Sequence, residues 1–145
     1  MLASWGKVRR LNRLTRKNYF CLLAMDHPLS LGPIKGIASV EEVNHWVTFS
    51  KDNHIPGVVL NSGIVDKLDV FDKPGIVIQT MGLPNRVQGN LSKVVTGQVE
   101  KAISLDAIAL SVQINFSAHD LQKAIQIISN IVYQAERFSF PVLLF

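Results

Sequence analysis

The sequence is short of most features that mark other classes of protein. Among its 145 residues there is one cysteine, Cys21, so no internal disulfide can form and a disulfide-stapled scaffold is excluded. Cys21 lies inside an apolar run, which predicts a buried, reduced thiol and fits a reducing, cytoplasmic setting. No apolar run approaches the roughly 18 residues that a membrane helix needs, and no signal-peptide core is visible, so no membrane contact is expected. Neither GxxxxGK[ST] nor GxGxxG occurs, which argues against a nucleotide cradle. His45, His54 and His119 have no HExxH or paired-ligand spacing, and Ser30 lacks the G-x-S-x-G elbow. The sequence therefore implies no metal and no cofactor.

Acids are missing from the start of the chain. Lys7, Arg9, Arg10, Arg13, Arg16 and Lys17 stand there unopposed, and without them the remaining nine bases face 11 acids. The net charge of +4 thus belongs to a basic arm, residues 1–17, and not to the body. Such an arm could touch phosphates or nucleic acid, or serve as a transit peptide, although serine is scarce in it. The plainer expectation is a solvated amphipathic helix. Trp5, Val8, Leu11 and Leu14 fall about three apart over residues 4–15, as one helical stripe would. Nucleic acid is not expected as a partner.

What is abundant is apolar residues, 48% against 18% charged, which bound a single globular domain over residues 1–145. The apolar runs alternate between strand and helix lengths. A first strand is expected over 19–25, apolar nearly throughout and so buried on both faces as in a parallel sheet. After a loop to about residue 38, Ser39 and Glu42 form a capping-box pattern. Val40, Val43, Trp46, Val47 and Ser50 then share a helical face. Val58–Leu60 is a second strand, with a short helix expected around 63–69. Ile76–Gln79 is a third strand, followed by a Gly/Pro/Asn-rich loop over 81–92. Val94-Val95 is extended. Thr96 is placed to cap a helix with Val99, Ala102 and Ile103 inward, and Ala107–Val112 is a fourth strand. Ser117-Ala118-His119-Asp120 is a cap signature before Leu121, Ala124, Ile125, Ile128, Ile131, Val132 and Ala135, a strong 3.6-residue period. Val142–Phe145 begins a fifth strand. Alternating strands and helices of this kind make a parallel α/β fold.

The stretch that carries chemistry is Leu22 to Gly36. An apolar strand breaks there into Asp26 and His27, then a Pro/Gly loop. A carboxylate ending an apolar strand costs several kcal/mol unless it is paired or solvated in a cleft. The carboxyl ends of parallel strands are also where such folds bind ligands. Asp26 is the candidate catalytic carboxylate. The alternative is a polar cap closing the strand. His27 is either a ligand-lining group or a structural hydrogen bonder, and Gly32 and Gly36 shape the loop or cradle a phosphate.

Arg10-Leu11-Asn12-Arg13-Leu14, Met25-Asp26-His27 and Leu31-Gly32-Pro33-Ile34-Lys35-Gly36 together resemble one family. It is the archaeal-type class I fructose-bisphosphate aldolases, with their relative 2-amino-3,7-dideoxy-D-threo-hept-6-ulosonate synthase. The resemblance runs from about residue 10 to the end. It implies the first part of a (β/α)8 barrel, strands one to four and the start of five. The implied chemistry is carbon–carbon lysis of sugar phosphates through a lysine Schiff base. It gives Asp26 a role in proton transfer at the carbinolamine and makes His27, Pro28, Leu29 and Ser30 substrate-lining. The family's tyrosine acid and Schiff-base lysine follow strands five and six. Tyr19, Tyr133, Lys35 and Lys93 do not stand at those places, so this stretch alone is expected to be inactive. Asn61-Ser62-Gly63, Gln79 and Gln113-Ile114-Asn115 stand where the family usually shows His-Lys-Gly, His and His-Val-Asn. These neutral groups keep a second reading open, a non-catalytic binding or partner module. Four strands and part of a fifth cannot close a barrel, which predicts a homo-oligomer or a complementing C-terminal half.

Overall fold

A computed structural model describes residues 4–69, 72–82, 94–114 and 121–145. Most of the loop over 81–92, Lys93, Asn115 and the cap signature at 117–120 lie outside the described residues.

The centre is a five-stranded, wholly parallel sheet. Its strands are β3 (Leu22–Ala24), β4 (Gly57–Asn61), β5 (Gly75–Gln79), β8 (Ala109–Val112) and β9 (Val142–Leu144), in the order β3-β4-β5-β8-β9. Spatial order follows chain order throughout. That winds the sheet in one direction, as a barrel does, and not outward in two from a central strand. Helices make the crossovers: α3 (Val40–Asp52), α4 (Ser62–Val65), α5 (Val99–Ser104) and α6 (Leu121–Glu136). Five strands with their crossover helices are a little more than half of an eight-stranded barrel.

The two faces of the sheet hold separate cores, as the two-residue period of a strand requires. Val58, Leu60, Ile76, Ile78, Leu110 and Val112 pack outward against Val43 and Val47 of α3, Val99 and Ala102 of α5, and Ile131 and Ala135 of α6. Val59, Val77 and Ala109 form the inner core with Leu14 and Ile108. The register aligns them in one row, Ala24 beside Val59, Val59 beside Val77, Val77 beside Ala109.

The basic arm is part of this architecture. Helix α1 (Trp5–Asn12) is capped by Ser4, whose hydroxyl accepts from Lys7 N. Leu14, just beyond it, is fully buried. Three of the six bases engage the body. Lys7 Nζ pairs with Glu136 Oε1 at 3.0 Å, the Arg10 guanidinium lies 5.0 Å from the centre of the Phe140 ring, and Arg16 Nη1 donates to the carbonyl of Asn53 at 3.1 Å. The expected apolar stripe holds at Leu14 but not at Trp5, which is 83% exposed.

The first strand is shorter than expected. Thr15-Arg16 (β1) and Tyr19-Phe20 (β2) form an antiparallel hairpin. Its two turn residues, Lys17 and Asn18, both have positive φ, 51° and 67°, the backbone a two-residue hairpin demands. Tyr19 and Phe20 are spent on that hairpin and are exposed, and so is Cys21, contrary to the buried thiol expected. Since β3 is an edge strand, Leu22 and Leu23 are half-buried and Ala24 is exposed, which also overturns burial on both faces.

Three further elements differ in detail. The loop after Asp26 contains a short helix, α2 (Pro28–Leu31). Thr96 does not cap α5. Its amide is taken by the Thr80 carbonyl, 2.7 Å away, which extends the β6–β7 pairing of Met81-Gly82 with Val94-Val95, and Gln98 is the cap residue. On α6 the buried face runs Ala124, Ile131, Ala135. At 3.6 residues per turn Ile125 lies roughly a quarter-turn off that line, and Ile125 and Leu121 are exposed. Among the described residues no helix is long and apolar enough to cross a membrane.

Candidate functional site

The site lies at the carboxyl end of the sheet. Two residues beyond Val77 and Ala109 on the inner face stand Gln79 and Ser111, paired in register and almost fully buried, at 4% and 1% exposure. Asn61 is Gln79's register partner on the other side. Asp26 lies two residues past Ala24 and so belongs to the same level of the inner face. A barrel's interior is filled in such layers, and here the uppermost described layer is polar.

Hydrogen bonds lock this layer together. Gln79 Nε2 donates to Asp26 Oδ2 at 2.8 Å and to Ser111 Oγ at 3.3 Å. Gln79 Oε1 accepts from the Met81 amide at 3.1 Å. Asn61 Nδ2 donates to the Asp26 carbonyl at 2.9 Å, while Asn61 Oδ1 is buried without a partner among the described residues. The Asp26 side chain is 15% exposed, and its Oδ1 lies 3.7 Å from Nδ1 of His27, which is 51% exposed.

A cavity of about 340 Å³ opens above this layer, lined among others by Asp26, His27, Ser30, Gln79, Ser111 and Gln113. The expected lining stretch is divided by its own helix. His27 and Ser30 face this cavity, whereas Pro28 and Leu29 face a separate, more apolar cleft of about 440 Å³ beside Met25, Asn61 and Val43. Three residues make nearly one turn, so positions 27 and 30 share a side and 28 and 29 point away.

The loop beyond α2 is anchored at a distance. Trp46 Nε1 donates to the Gly36 carbonyl at 2.8 Å. Gly32 and Gly36 have φ of 80° and 92°, which favours glycine at both turns. No group of three or more His, Cys, Asp or Glu able to hold a metal occurs among the described residues.

Ser111 has one signal in the sequence, a hydroxyl inside the apolar run Ala109–Val112, and that alone does not mark it as part of a site. Gln79 differs from the resembled family's usual histidine, but its bond to Asp26 spans 53 residues and has no local signature.

Sequentially ordered parallel strands, helices outside and a polar layer with its cavity at the carboxyl ends define the class: a β/α-barrel protein. The chain belongs to the DeoC/LacD family of aldolases, whose family profile matches residues 20–145. A 2-amino-3,7-dideoxy-D-threo-hept-6-ulosonate synthase of Halobacterium salinarum is 27% identical over 139 residues, which are 95% of this chain and 51% of that protein. The corresponding synthase 1 of Archaeoglobus fulgidus is 28% identical over 141 residues, 95% of this chain and 52% of its own length. An archaeal fructose 1,6-bisphosphate aldolase superimposes with a TM-score of 0.82 at 22% identity, over 96% of this chain and 56% of that one. A second such structure, with its catalytic lysine bound to the carbinolamine intermediate, gives 0.82 at 23% identity, over 97% and 56%. The chain thus spans about half the length of the curated relatives it matches.

Proposed function

We propose that these residues supply the opening strands of a Schiff-base aldolase site for a sugar phosphate. Asp26 is its proton-transfer group. The observation that carries this is the Asp26 carboxylate, mostly buried yet facing a cavity at the mouth end of the sheet and held there by an amide. A carboxylate in that setting can relay a proton to and from a carbinolamine hydroxyl, which leaves as water when the imine forms. The protonated imine then accepts the electron pair of the breaking carbon–carbon bond while a base takes the proton of the neighbouring hydroxyl, which becomes the carbonyl of the departing aldehyde fragment. His27 and Ser30 line the substrate side. Pro28 and Leu29 act one step back, as the packed face of α2.

Among the described residues that line the cavity there is neither a lysine to supply the amine nor a tyrosine to supply the acid. Tyr19 and Tyr133 are 77% and 74% exposed, away from that layer. The reading therefore requires the lysine to come from strands that complete the barrel, whether in the same protein or from another chain. A binding module is the second reading. It is favoured by the uncharged amides Asn61, Gln79 and Gln113 at three strand ends.

Borohydride trapping separates the two. With fructose 1,6-bisphosphate and borohydride, this chain alone is expected to give no covalent adduct by mass spectrometry. Completed with the second half of a curated relative, it is expected to give an adduct on that half, weakened at least tenfold by Asp26→Ala. An adduct on a lysine of this chain alone would overturn the proposal. So would a folded, completed barrel that traps nothing, which would leave the binding module.

A further inference from the structure

The two oxygens of Asp26 are not equivalent, and the difference comes from one residue. Oδ2 accepts the Gln79 amide at 2.8 Å. Oδ1 takes no hydrogen bond among the described residues, and His27 Nδ1 lies 3.7 Å from it. The orientation of the Gln79 amide is itself fixed. Its oxygen accepts from the Met81 N–H and its nitrogen also reaches Ser111 Oγ. Turning the amide over would set two acceptors against each other at Asp26 and two donors at Met81, so only one orientation satisfies all three partners. At 4% exposure, Gln79 has almost no water to replace any of them.

We propose that Gln79 is the positioning residue of this site. By engaging Oδ2 it holds the Asp26 carboxylate in one rotamer and leaves Oδ1 as the oxygen that exchanges a proton with the ligand. This rests on the reading of Asp26 as the proton-transfer group, and it adds which oxygen works and what aims it. An amide suits the task because it donates strongly yet carries no charge, so it fixes the acid without forming an ion pair with it. Ser111 of β8 and the Met81 amide of β6, two residues past the end of β5, hold Gln79 in turn, and both residues are buried. The aim of the carboxylate is therefore set by β5 and the two strands that hold Gln79, and not by the loop that carries Asp26.

The test reads the Asp26 rotamer directly, with no ligand present, in the isotopically labelled chain. Three-bond couplings across the Asp26 χ1 torsion should report a single rotamer in the native protein and an average of rotamers in Gln79→Met. The Val77 and Ala109 amide signals should stay in place in both. The side-chain amide proton of Gln79 that faces Asp26 should move upfield in Asp26→Ala. Gln79→Met leaves the Met81 N–H without its acceptor and could unfold the sheet. Gln79→Glu keeps that acceptor while replacing the donor facing Asp26, and should also release the rotamer. An Asp26 rotamer that is unchanged in whichever variant keeps the native sheet signals would overturn the proposal. Because no ligand is used, failure here is distinguishable from failure of the aldolase reading, which the borohydride experiment decides.

Discussion

Leu14→Ala asks whether the basic arm is part of the core or an accessory to it. Leu14 is fully buried in the inner core with Val59, Val77 and Ile108. It fits over two glycines: a Cβ built on Gly57 would lie 2.7 Å from Leu14 Cδ2, and one on Gly75 would lie 3.0 Å from it. The substitution removes three carbon groups, worth about 0.8 kcal/mol each, or roughly 2.4 kcal/mol in transfer terms. The floor of the resulting cavity is strand backbone, which cannot collapse into it, so a cavity penalty adds and the expected loss is about 3–4 kcal/mol. Urea unfolding followed by far-ultraviolet circular dichroism measures it. The same geometry predicts coupling. Gly57→Ala is expected to be damaging on its own, since the new methyl also meets Leu22 Cδ2 at 2.5 Å. It should cost at least about 1 kcal/mol less in the Leu14→Ala background, where one of its two side-chain clashes is gone. A Leu14→Ala loss under about 1 kcal/mol, or strict additivity with Gly57→Ala, would refute the placement of the arm in the inner core.

Removing the arm's surface charge should matter far less. Lys7→Ala breaks a pair whose partners are 27% and 57% exposed and is expected to cost under about 0.5 kcal/mol, fading in high salt. Ser39→Ala removes the hydroxyl that accepts from Glu42 N at 3.2 Å and should cost about 1 kcal/mol by thermal or urea unfolding. The same variant should remove the smaller part of the pH dependence that Glu41 contributes around and below the usual glutamate value. Glu41's own backbone N–H, then the Ser39 hydroxyl, hold its carboxyl below the usual glutamate value of 4.5. The stabilisation is therefore present above that value and is lost as pH falls through the lowered one. Trp46→Phe removes the bond to the Gly36 carbonyl and should cost about 1 kcal/mol. Hydrogen exchange should quicken at Ile37, whose amide closes the turn onto Ile34, with Val77 unaffected.

The parts of the fold legible in the sequence are those where one interaction dominates. Val58–Leu60 and Ile76–Ile78 are apolar on both sides because both of their faces are buried, and nothing competes with the strand. Ser39 announces α3 because its cap uses local bonds alone, the hydroxyl to Glu42 N and the Glu42 carboxylate to the Ala38 amide at 2.6 Å. Tyr19 and Phe20 misled because composition cannot separate an edge hairpin from a core strand; Lys17 and Asn18 at positive φ decide it, and neither is glycine. Asp26 stood out because a charge closing an apolar run is costly. What holds it could not be read, since Gln79 meets it across 53 residues and Ser111 meets Gln79 across a further 32, both only through strand register.

Cys21 occupies an unusual place for the chain's single thiol. It is solvent-accessible and immediately precedes β3, the border strand of the sheet. It also sits at the strand's entrance, away from the mouth where Asp26 lies. A fluorophore or spin probe attached there would be the sole thiol label on the chain and would flank the outer edge of that strand. Any change in the surroundings of this edge, including the docking of another strand on the proposed reading, could then be followed in real time with the cavity at Asp26 untouched.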